Sequence, residues 1–361
     1  MKRIRVLVVE DSVTVRKYLV DVLRSSPDFE VVGEAENGKR AIELCSVLRP
    51  DVVTMDMMMP LMTGVAATEY IMAYCPTPIL VVSASTNRGE VFKTYEALSA
   101  GALDVLEKPR NVGSREWANQ FLAAVRMISR IRVITHPRGK LRPLPDLKQP
   151  VPTPSFVARS NSNARTGQRI EIVAMGASTG GPAALAEILA SLPANLAVPI
   201  LIVIHIAEAF APAMADWLNT QSRIPVRYAR DGEPIPFGVP AVLLAPATHH
   251  LVVQDKYLRY STAEPRFSCK PSVDVLFESV TETFGDAAAL VLLTGMGKDG
   301  AAGLLRARRA GAITIAQDEA TSVVFGMPGE AVRIGAAERV LPLDEIANAV
   351  VAATQAERVT E

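Results

Sequence analysis

A serine in a glycine-rich turn, a histidine and an aspartate each follow an apolar run in the second half of the chain. Ser178 lies in GASTGG, His205 lies near the end of PILIVIHI, and Asp299 lies in GMGKDGAAG after ALVLLT. A serine becomes a nucleophile when a histidine takes its proton and a carboxylate orients that histidine. The three residues are therefore a candidate catalytic triad for acyl transfer.

The glycine-rich turn has a second interpretation, because GASTGG partly matches the GxGxxG loops that bind phosphate. A dinucleotide site expects an acidic residue about 20 residues farther on, where it binds the ribose. The next apolar run leads instead to His205, which fits a base better than a ribose ligand. The hydrolase interpretation is favoured, and a non-catalytic nucleotide-binding or scaffolding module stays open.

The first half of the chain has its own set of polar residues, each following an apolar run. They are Glu10 and Asp11 after the first run, Asp56 after the third, Ser83 after the fourth and Lys108 after the fifth. Ligands of open parallel sheets bind at the carboxyl ends of the strands, so these side chains should meet there. Carboxylates placed together repel each other unless a divalent cation binds them, and oxygen ligands suit Mg²⁺.

These residues need strands and helices that bring them to sheet edges. Residues 1–125 alternate short Val- and Ile-rich runs with amphipathic stretches, which predicts five strand–helix units on a doubly wound parallel sheet. Residues 126–168 contain the end of the last helix and a Pro-, Ser- and Arg-rich linker. Residues 169–358 predict a second α/β domain with a mostly parallel sheet, and HLVVQDKYLRY within it predicts a β-hairpin.

Composition excludes several classes of protein. Lys plus Arg and Asp plus Glu both total 38 in 361 residues, so no net field favours a nucleic acid, and a receiver-linked DNA-binding regulator is disfavoured. Cys45, Cys75 and Cys269 are too far apart in sequence to suggest a disulfide framework. No run reaches the roughly 18 apolar residues of a spanning helix. We expect a cytoplasmic protein without membrane insertion.

Residues 3–125 resemble the receiver domains of two-component signalling, on the order of the acids, the serine and the Lys-Pro pair at successive strand ends. The resemblance implies a flavodoxin-like fold and phosphorylation of Asp56 by a histidine kinase. Ser83 would then bond a phosphoryl oxygen, and Lys108 would pair with the phosphoryl charge. The implied ligands of Mg²⁺ are Glu10, Asp11, Asp56 and the main-chain carbonyl of Met58.

Residues from about 170 to 358 resemble the chemotaxis-type protein-glutamate methylesterases, the CheB family. The motifs that carry the resemblance are GASTGG, the run ending near His205, LLAPATHHL, KPSVDVLFESV, LLTGMGKDGAAG and AQDEATSVVFGMP. The resemblance implies a Rossmann-like domain in which Ser178 is the nucleophile, His205 the general base and acid, and Asp299 its orienting partner. Thr179 would help position the histidine, and the backbone amide of Met296 would contribute to an oxyanion hole.

The two resemblances together imply an esterase controlled by phosphorylation. Its substrates would be glutamate γ-methyl esters, and glutamine amides, on methyl-accepting chemoreceptors, with no cofactor for the ester reaction. The receiver would cover the active site until Asp56 is phosphorylated. The same chemistry in a pathway other than swimming stays open, as does a non-catalytic receiver-linked binding module.

Three features depart from the families or stay undecided. Val105 stands where receivers usually carry an aromatic switch residue, and Ile204 stands where the methylesterases usually have glutamine before the histidine. The loop after that histidine reads IAEAFAPAM rather than a Met-Pro-rich sequence. His249 and His250 are equally compatible with a structural role and with substrate contact, and we assign them no catalytic role.

Overall fold

The computed structural model describes residues 3–84, 88–109, 113–131, 133 and 169–355. Most of the predicted linker at 126–168 lies outside the described residues. Within these residues, each half of the chain contains one large parallel sheet. Among the described helices, none combines the length and the apolar character needed to cross a membrane.

Among the described residues, the first half contains five strands and five helices in strict alternation. The strands are β1 Ile4–Val9, β2 Phe29–Ala35, β3 Val52–Met55, β4 Ile79–Ser83 and β5 Asp104–Glu107. The helices are α1 Val13–Arg24, α2 Gly38–Leu48, α3 Gly64–Tyr74, α4 Arg88–Ser99 and α5 Arg115–Ile128. The sheet is parallel with the order β2-β1-β3-β4-β5, which confirms the predicted doubly wound parallel sheet.

Side-chain caps begin four of these helices at polar residues that follow the strands. Ser12, Asn37, Thr63 and Ser114 each accept a hydrogen bond from the backbone amide three residues farther on. Such a cap satisfies one of the amides that a helix N-terminus leaves free. The short loops thus end at fixed points, and the strand ends that carry Asp56 and Lys108 are held in place.

The described part of the second half, residues 169–355, contains seven strands in one sheet and a separate hairpin. The sheet strands are β6 Ile172–Ala177, β7 Ile200–Ile204, β8 Val226–Tyr228, β9 Val242–Leu244, β12 Ala288–Leu292, β13 Ile313–Gln317 and β14 Arg339–Leu341, and the hairpin strands are β10 His250–Gln254 and β11 Tyr257–Ser261. The helices are α6 Gly181–Ser191, α7 Ala211–Gln221, α8 Val273–Phe284, α9 Ala301–Arg309, α10 Met327–Arg333 and α11 Leu343–Gln355. The strand order is β14-β13-β12-β6-β7-β9-β8.

All pairings in the seven-stranded sheet are parallel, and the predicted hairpin forms a sheet of its own. Its turn residues Asp255 and Lys256 have φ of 50° and 65°, as a tight hairpin turn requires. Sequence patterning missed β8, whose three residues include an arginine. Such a short edge strand has no apolar alternation to reveal it.

Helix α4 of the first half packs against α6 and α7 of the second half. Tyr95 of α4 stacks on Trp217 of α7 with ring centroids 5.2 Å apart, and both side chains are buried. The Tyr95 hydroxyl donates to the carbonyl of Phe210 at 2.8 Å. The apolar core is therefore continuous between the two halves.

Truncation of a side chain in the central strand of the second sheet should destabilise the fold strongly. Leu290 is fully buried in β12, which lies between β6 and β13. We expect Leu290→Ala to lower the free energy of unfolding by about 2–5 kcal/mol, because the substitution leaves a cavity. Urea denaturation measures this change in the free energy of unfolding. The exposed Val332→Ala should change the value by less than about 0.5 kcal/mol, and equal effects of the two variants would contradict the burial of Leu290.

Candidate active site

Ser178 lies in the turn between β6 and α6, at the carboxyl edge of the second sheet. The amide of Gly181 donates to the Ser178 carbonyl at 2.7 Å and closes the turn. Gly180 has a φ of 79°, and a Cβ there would lie 2.5 Å from Cβ of Val323, so only glycine fits. The turn thus holds the serine at the N-terminus of a helix, where backbone amides favour negative charge.

His205 follows β7 directly, and its backbone amide donates to the carbonyl of Ala177 at 3.0 Å. Its Nε2–H group donates to Oδ2 of Asp299, also at 3.0 Å. Ser178 and His205 line the same cleft. Within the described residues no hydrogen bond joins the Ser178 hydroxyl to the His205 ring. The structure therefore brings the histidine and aspartate into contact and places the serine beside them, at the ends of the neighbouring strands β12, β6 and β7.

Asp299 is buried, and hydrogen-bond donors surround its carboxylate. The Ser272 hydroxyl donates to Oδ1 at 2.7 Å, and the backbone amides of Val273 and Asp274 donate at 2.7 and 3.1 Å. Burial alone would raise the pKa of Asp299, but the hydrogen bonds from His205, Ser272 and Val273 lower it below its ordinary value. Asp299 is therefore held as a carboxylate at the N-terminus of α8.

His250 fixes the position of Ser272, which bonds Asp299. Its ring is fully buried, Nδ1 accepts the backbone amide of Ser272 at 3.0 Å, and Nε2 donates to the carbonyl of Glu264 at 3.1 Å. His250 thus positions the serine that bonds Asp299. Sequence reasoning left its role undecided and missed Ser272, although the pattern Ser-Val-Asp before an apolar helix is a recognisable N-cap signal.

The pKa of His205 reflects opposing effects. Burial alone would lower it, but the hydrogen bond and charge of Asp299, together with the neighbouring Cys269 thiol, raise it to about 9. At neutral pH the ring is therefore protonated in this conformation. A protonated imidazole cannot accept the proton of a serine, so a nucleophilic Ser178 requires the neutral form of the ring.

Two further residues of the predicted site lie close to Ser178. A Cβ on Gly295 would lie 2.7 Å from the Ser178 Cβ, so the chain at Gly295 and the adjacent Met296 passes directly beside the serine. Met296 is 57% exposed. The Thr179 hydroxyl donates to Oδ2 of Asp104 at 3.2 Å rather than to the histidine.

That bond belongs to a cleft between the two halves of the chain. The cleft has a volume of about 320 Å³. Its walls include Leu103, Asp104 and Val105 from the receiver half and Ser178 and His205 from the other. Sequence reasoning missed Asp104, because only the docking of the two halves places it against Thr179. Burial raises the pKa of Asp104 to about 6.

The acids of the first half also meet as predicted. One ligand atom from each of Glu10, Asp11 and Asp56 lies within 4.8 Å of the others. Lys108 Nζ lies 2.8 Å from Glu10 Oε2 and 3.0 Å from Asp56 Oδ1. Ser83 is buried at the end of β4, where its hydroxyl donates to the Ala84 carbonyl.

The net negative charge of the cluster of Glu10, Asp11, Asp56 and Lys108 would attract a divalent cation. Burial and the charge of Asp56 raise the pKa of Glu10 to about 7, and burial raises the pKa of Asp56 despite Lys108. One lysine therefore leaves negative charge uncompensated. An oxygen-only donor set of this kind suits Mg²⁺. The Met58 side chain is 42% exposed at the rim of the cluster.

The imidazole of His205 should titrate near pH 9, and Asp299→Asn should lower its pKa because the carboxylate is lost. NMR of the labelled ring against pH measures both. Because the folded pKa lies above the ordinary value of 6.5, the pair stabilises the fold fully below about pH 6.5 and loses this contribution as pH rises through about 9. Asp255→Asn, in the exposed hairpin turn, is the control. An unchanged His205 pKa in Asp299→Asn would contradict the assigned contact.

Comparisons with known proteins identify both halves. The family model described as CheB methylesterase matches residues 173–350, and that of the response regulator receiver domain matches residues 6–114. A protein-glutamate methylesterase/protein-glutamine glutaminase of Anaeromyxobacter dehalogenans is 43% identical, with 96% of each chain covered. One of Syntrophus aciditrophicus is 44% identical, over 96% of this chain and 97% of the relative.

A solved structure is similar to the second half alone. The methylesterase catalytic domain of Thermotoga maritima CheB is 34% identical, with a TM-score of 0.48, and the match covers 51% of this chain and 98% of that one. The full-length relatives carry the assignment, because their identity extends over both halves. The chain belongs to the CheB methylesterase family, with a response regulator receiver domain in front of the methylesterase domain.

Proposed function

We propose that this protein hydrolyses glutamate γ-methyl esters on chemoreceptors and deamidates glutamines by the same route. The observation that carries the proposal is the His205–Asp299 pair beside Ser178, at the carboxyl ends of adjacent strands. The full-length relatives named as methylesterases and glutaminases support the choice of substrate. In this proposal the receiver domain spans residues 1–125, the linker with the end of the last helix spans 126–168, and the catalytic domain spans 169–358.

The reaction follows from the positions of the three side chains. Ser178 Oγ attacks the γ-carbonyl carbon of the ester while its proton passes to a neutral His205. Methoxide then leaves and takes that proton as methanol. His205 then takes a proton from a water molecule, whose oxygen attacks the acyl carbon, and the imidazolium returns that proton to Ser178 Oγ as the acyl bond breaks and glutamate is released. Asp299 keeps the imidazolium paired throughout.

The oxyanion that forms on the γ-carbonyl needs donors. The backbone amide of Met296 lies in the segment beside Ser178, and the N-terminus of α6 adds its partial positive charge. Thr179 is free to help orient the histidine only after it leaves Asp104. Undocking of the receiver therefore completes the catalytic arrangement and opens the cleft.

Phosphorylation of Asp56 would control this undocking. Strand β5 connects the two sites within a few residues, because Asp104 begins the strand and Lys108 follows it. A phosphoryl group on Asp56 would draw Lys108 and Ser83 towards its oxygens, which moves β5 and the end of β4. A histidine kinase is the expected donor. Val105, in the same strand, lines the cleft in place of the usual aromatic side chain.

A magnesium ion would belong to this phosphoryl transfer. The residues that would hold it are Glu10, Asp11, Asp56 and the main-chain carbonyl of Met58. When bound, Mg²⁺ neutralises charge on the transferring phosphoryl group. Lys108 contributes a second positive charge, since burial alone would lower its pKa but Asp56 and Glu10 raise it. No cofactor is needed for the ester reaction proposed here.

Removal of the nucleophile tests the chemistry. We expect Ser178→Ala to reduce methanol release from methylated chemoreceptor membranes by more than about a thousandfold, because a triad without its serine loses most of its rate. Ser191→Ala, on the exposed end of α6, should release methanol like the wild type. Release that persists in Ser178→Ala would exclude the proposed serine mechanism.

Tyr95, at the contact between the two domains, tests whether docking of the receiver domain limits the esterase rate. Tyr95→Phe removes the hydroxyl that satisfies the buried Phe210 carbonyl, at a cost to docking of about 1–3 kcal/mol. Methanol release without phosphodonor should rise, by up to about 5- to 150-fold if docking is tight, and stimulation by a small-molecule phosphodonor should shrink. The half-exposed Tyr70→Phe of the same domain is the control. Equal basal rates in both variants would contradict control by docking.

A further inference from the structure

The side chain of Cys269 lies beside the catalytic histidine, and the proposed mechanism does not use it. One ligand atom from each of His205, Cys269 and Asp299 lies within 4.8 Å of the others. The other two cysteines, Cys45 and Cys75, are buried in the receiver domain. Thiolate, imidazole and carboxylate are the donors that Zn²⁺ takes in proteins, commonly as three protein ligands with one open position.

The backbone holds Cys269 in place. Arg266 and Cys269 exchange both backbone hydrogen bonds, at 3.1 and 2.8 Å, around a two-residue turn. The turn residues Phe267 and Ser268 have φ of 50° and 63°, a region that residues other than glycine rarely adopt. Strained backbone of this kind persists where the surrounding structure enforces it, and such positions cluster at functional sites.

The neighbouring cations are engaged with other groups. Lys270 donates to the Thr262 carbonyl at 3.0 Å, Lys298 lies over the ring of Phe267, and Arg266 pairs with Glu278 at 2.6 Å. Their charges are therefore partly compensated. The cleft between the domains lies next to the three donors, since its walls include His205, Ser268 and Lys270.

We propose that Cys269, His205 and Asp299 form a reversible binding site for a single Zn²⁺ ion, which inhibits the enzyme. The Cys269 thiol and the imidazolium each release one proton to solvent as the Zn–S and Zn–N bonds form. The Asp299 carboxylate supplies an oxygen ligand in exchange for its hydrogen bond from His205, and the fourth position faces the cleft. A histidine bound to zinc cannot take the proton of Ser178, so ester hydrolysis stops. The inhibition rests on the proposed function, whereas the site does not.

Zinc binding by the full-length protein tests the site directly. Zn²⁺ is titrated in competition with a chromophoric chelator, with Mg²⁺ in excess to occupy the receiver carboxylates. The wild type should bind one zinc ion that Cys269→Ala binds more than about tenfold more weakly, since even outer partners of metal ligands contribute that much. Cys75→Ala should bind like the wild type. Equal affinities of Cys269→Ala and the wild type, or no binding by either, would overturn the proposal.

Methanol release gives an independent second readout. Zinc should inhibit the wild type and Cys75→Ala over the concentration range in which it binds, and a chelator should restore the rate. Zinc should not slow ester hydrolysis by Cys269→Ala, measured against the rate of the same variant without zinc. If zinc binding required Cys269 but zinc did not slow methanol release, the inhibitory role would be overturned. A protein that binds zinc but never releases methanol would leave the site standing and refute the proposed esterase function.

Discussion

The carboxylate of Asp299 is buried at the junction of β12, α8 and the end of β7, and a buried charge is costly unless donors surround it. Here the donors are the Ser272 hydroxyl, two amides at the start of α8 and the ring of His205. Each donor comes from a different backbone position, so the need to satisfy one carboxylate fixes the strand, the helix and the histidine together. His250 extends the same constraint to the loop before α8.

The carboxylate of Asp104, in the cleft between the two domains, has fewer hydrogen-bond donors than that of Asp299. Among the described residues, the Thr179 hydroxyl and the Val105 amide donate hydrogen bonds to the Asp104 carboxylate at this contact, and burial raises its pKa to about 6. A carboxylate with few donors opposes docking at neutral pH, while the Tyr95–Trp217 stack and the continuous apolar core favour it. Docking of the two halves is therefore a balance of these opposing contributions, and a small free-energy change at either half shifts it.

The same physical arrangement occurs twice in the chain. In both halves, parallel strands deliver polar side chains to one sheet edge, and the chemistry differs because the donors differ. The receiver edge gathers Glu10, Asp11 and Asp56, whose mutual repulsion favours a hard cation. The catalytic edge gathers a serine, a histidine and an aspartate, and the nearby Cys269 adds a soft donor. The identity of the side chains at the strand ends thus decides the function of each domain.

The sequence by itself predicted the two α/β domains, the hairpin and the residues at the strand ends, because alternation and glycine-rich turns are local signals. It also predicted that Glu10, Asp11 and Asp56 would meet, as would His205 and Asp299, since parallel strands end together, but Thr179 bonds Asp104 rather than the predicted histidine. It missed Ser272, Asp104 and the short strand β8, and it left His250 undecided. Those features depend on contacts between residues far apart in the chain, such as the docking of Asp104 on Thr179. Only the tertiary structure decides such contacts, because they arise from packing whose partners no local pattern encodes.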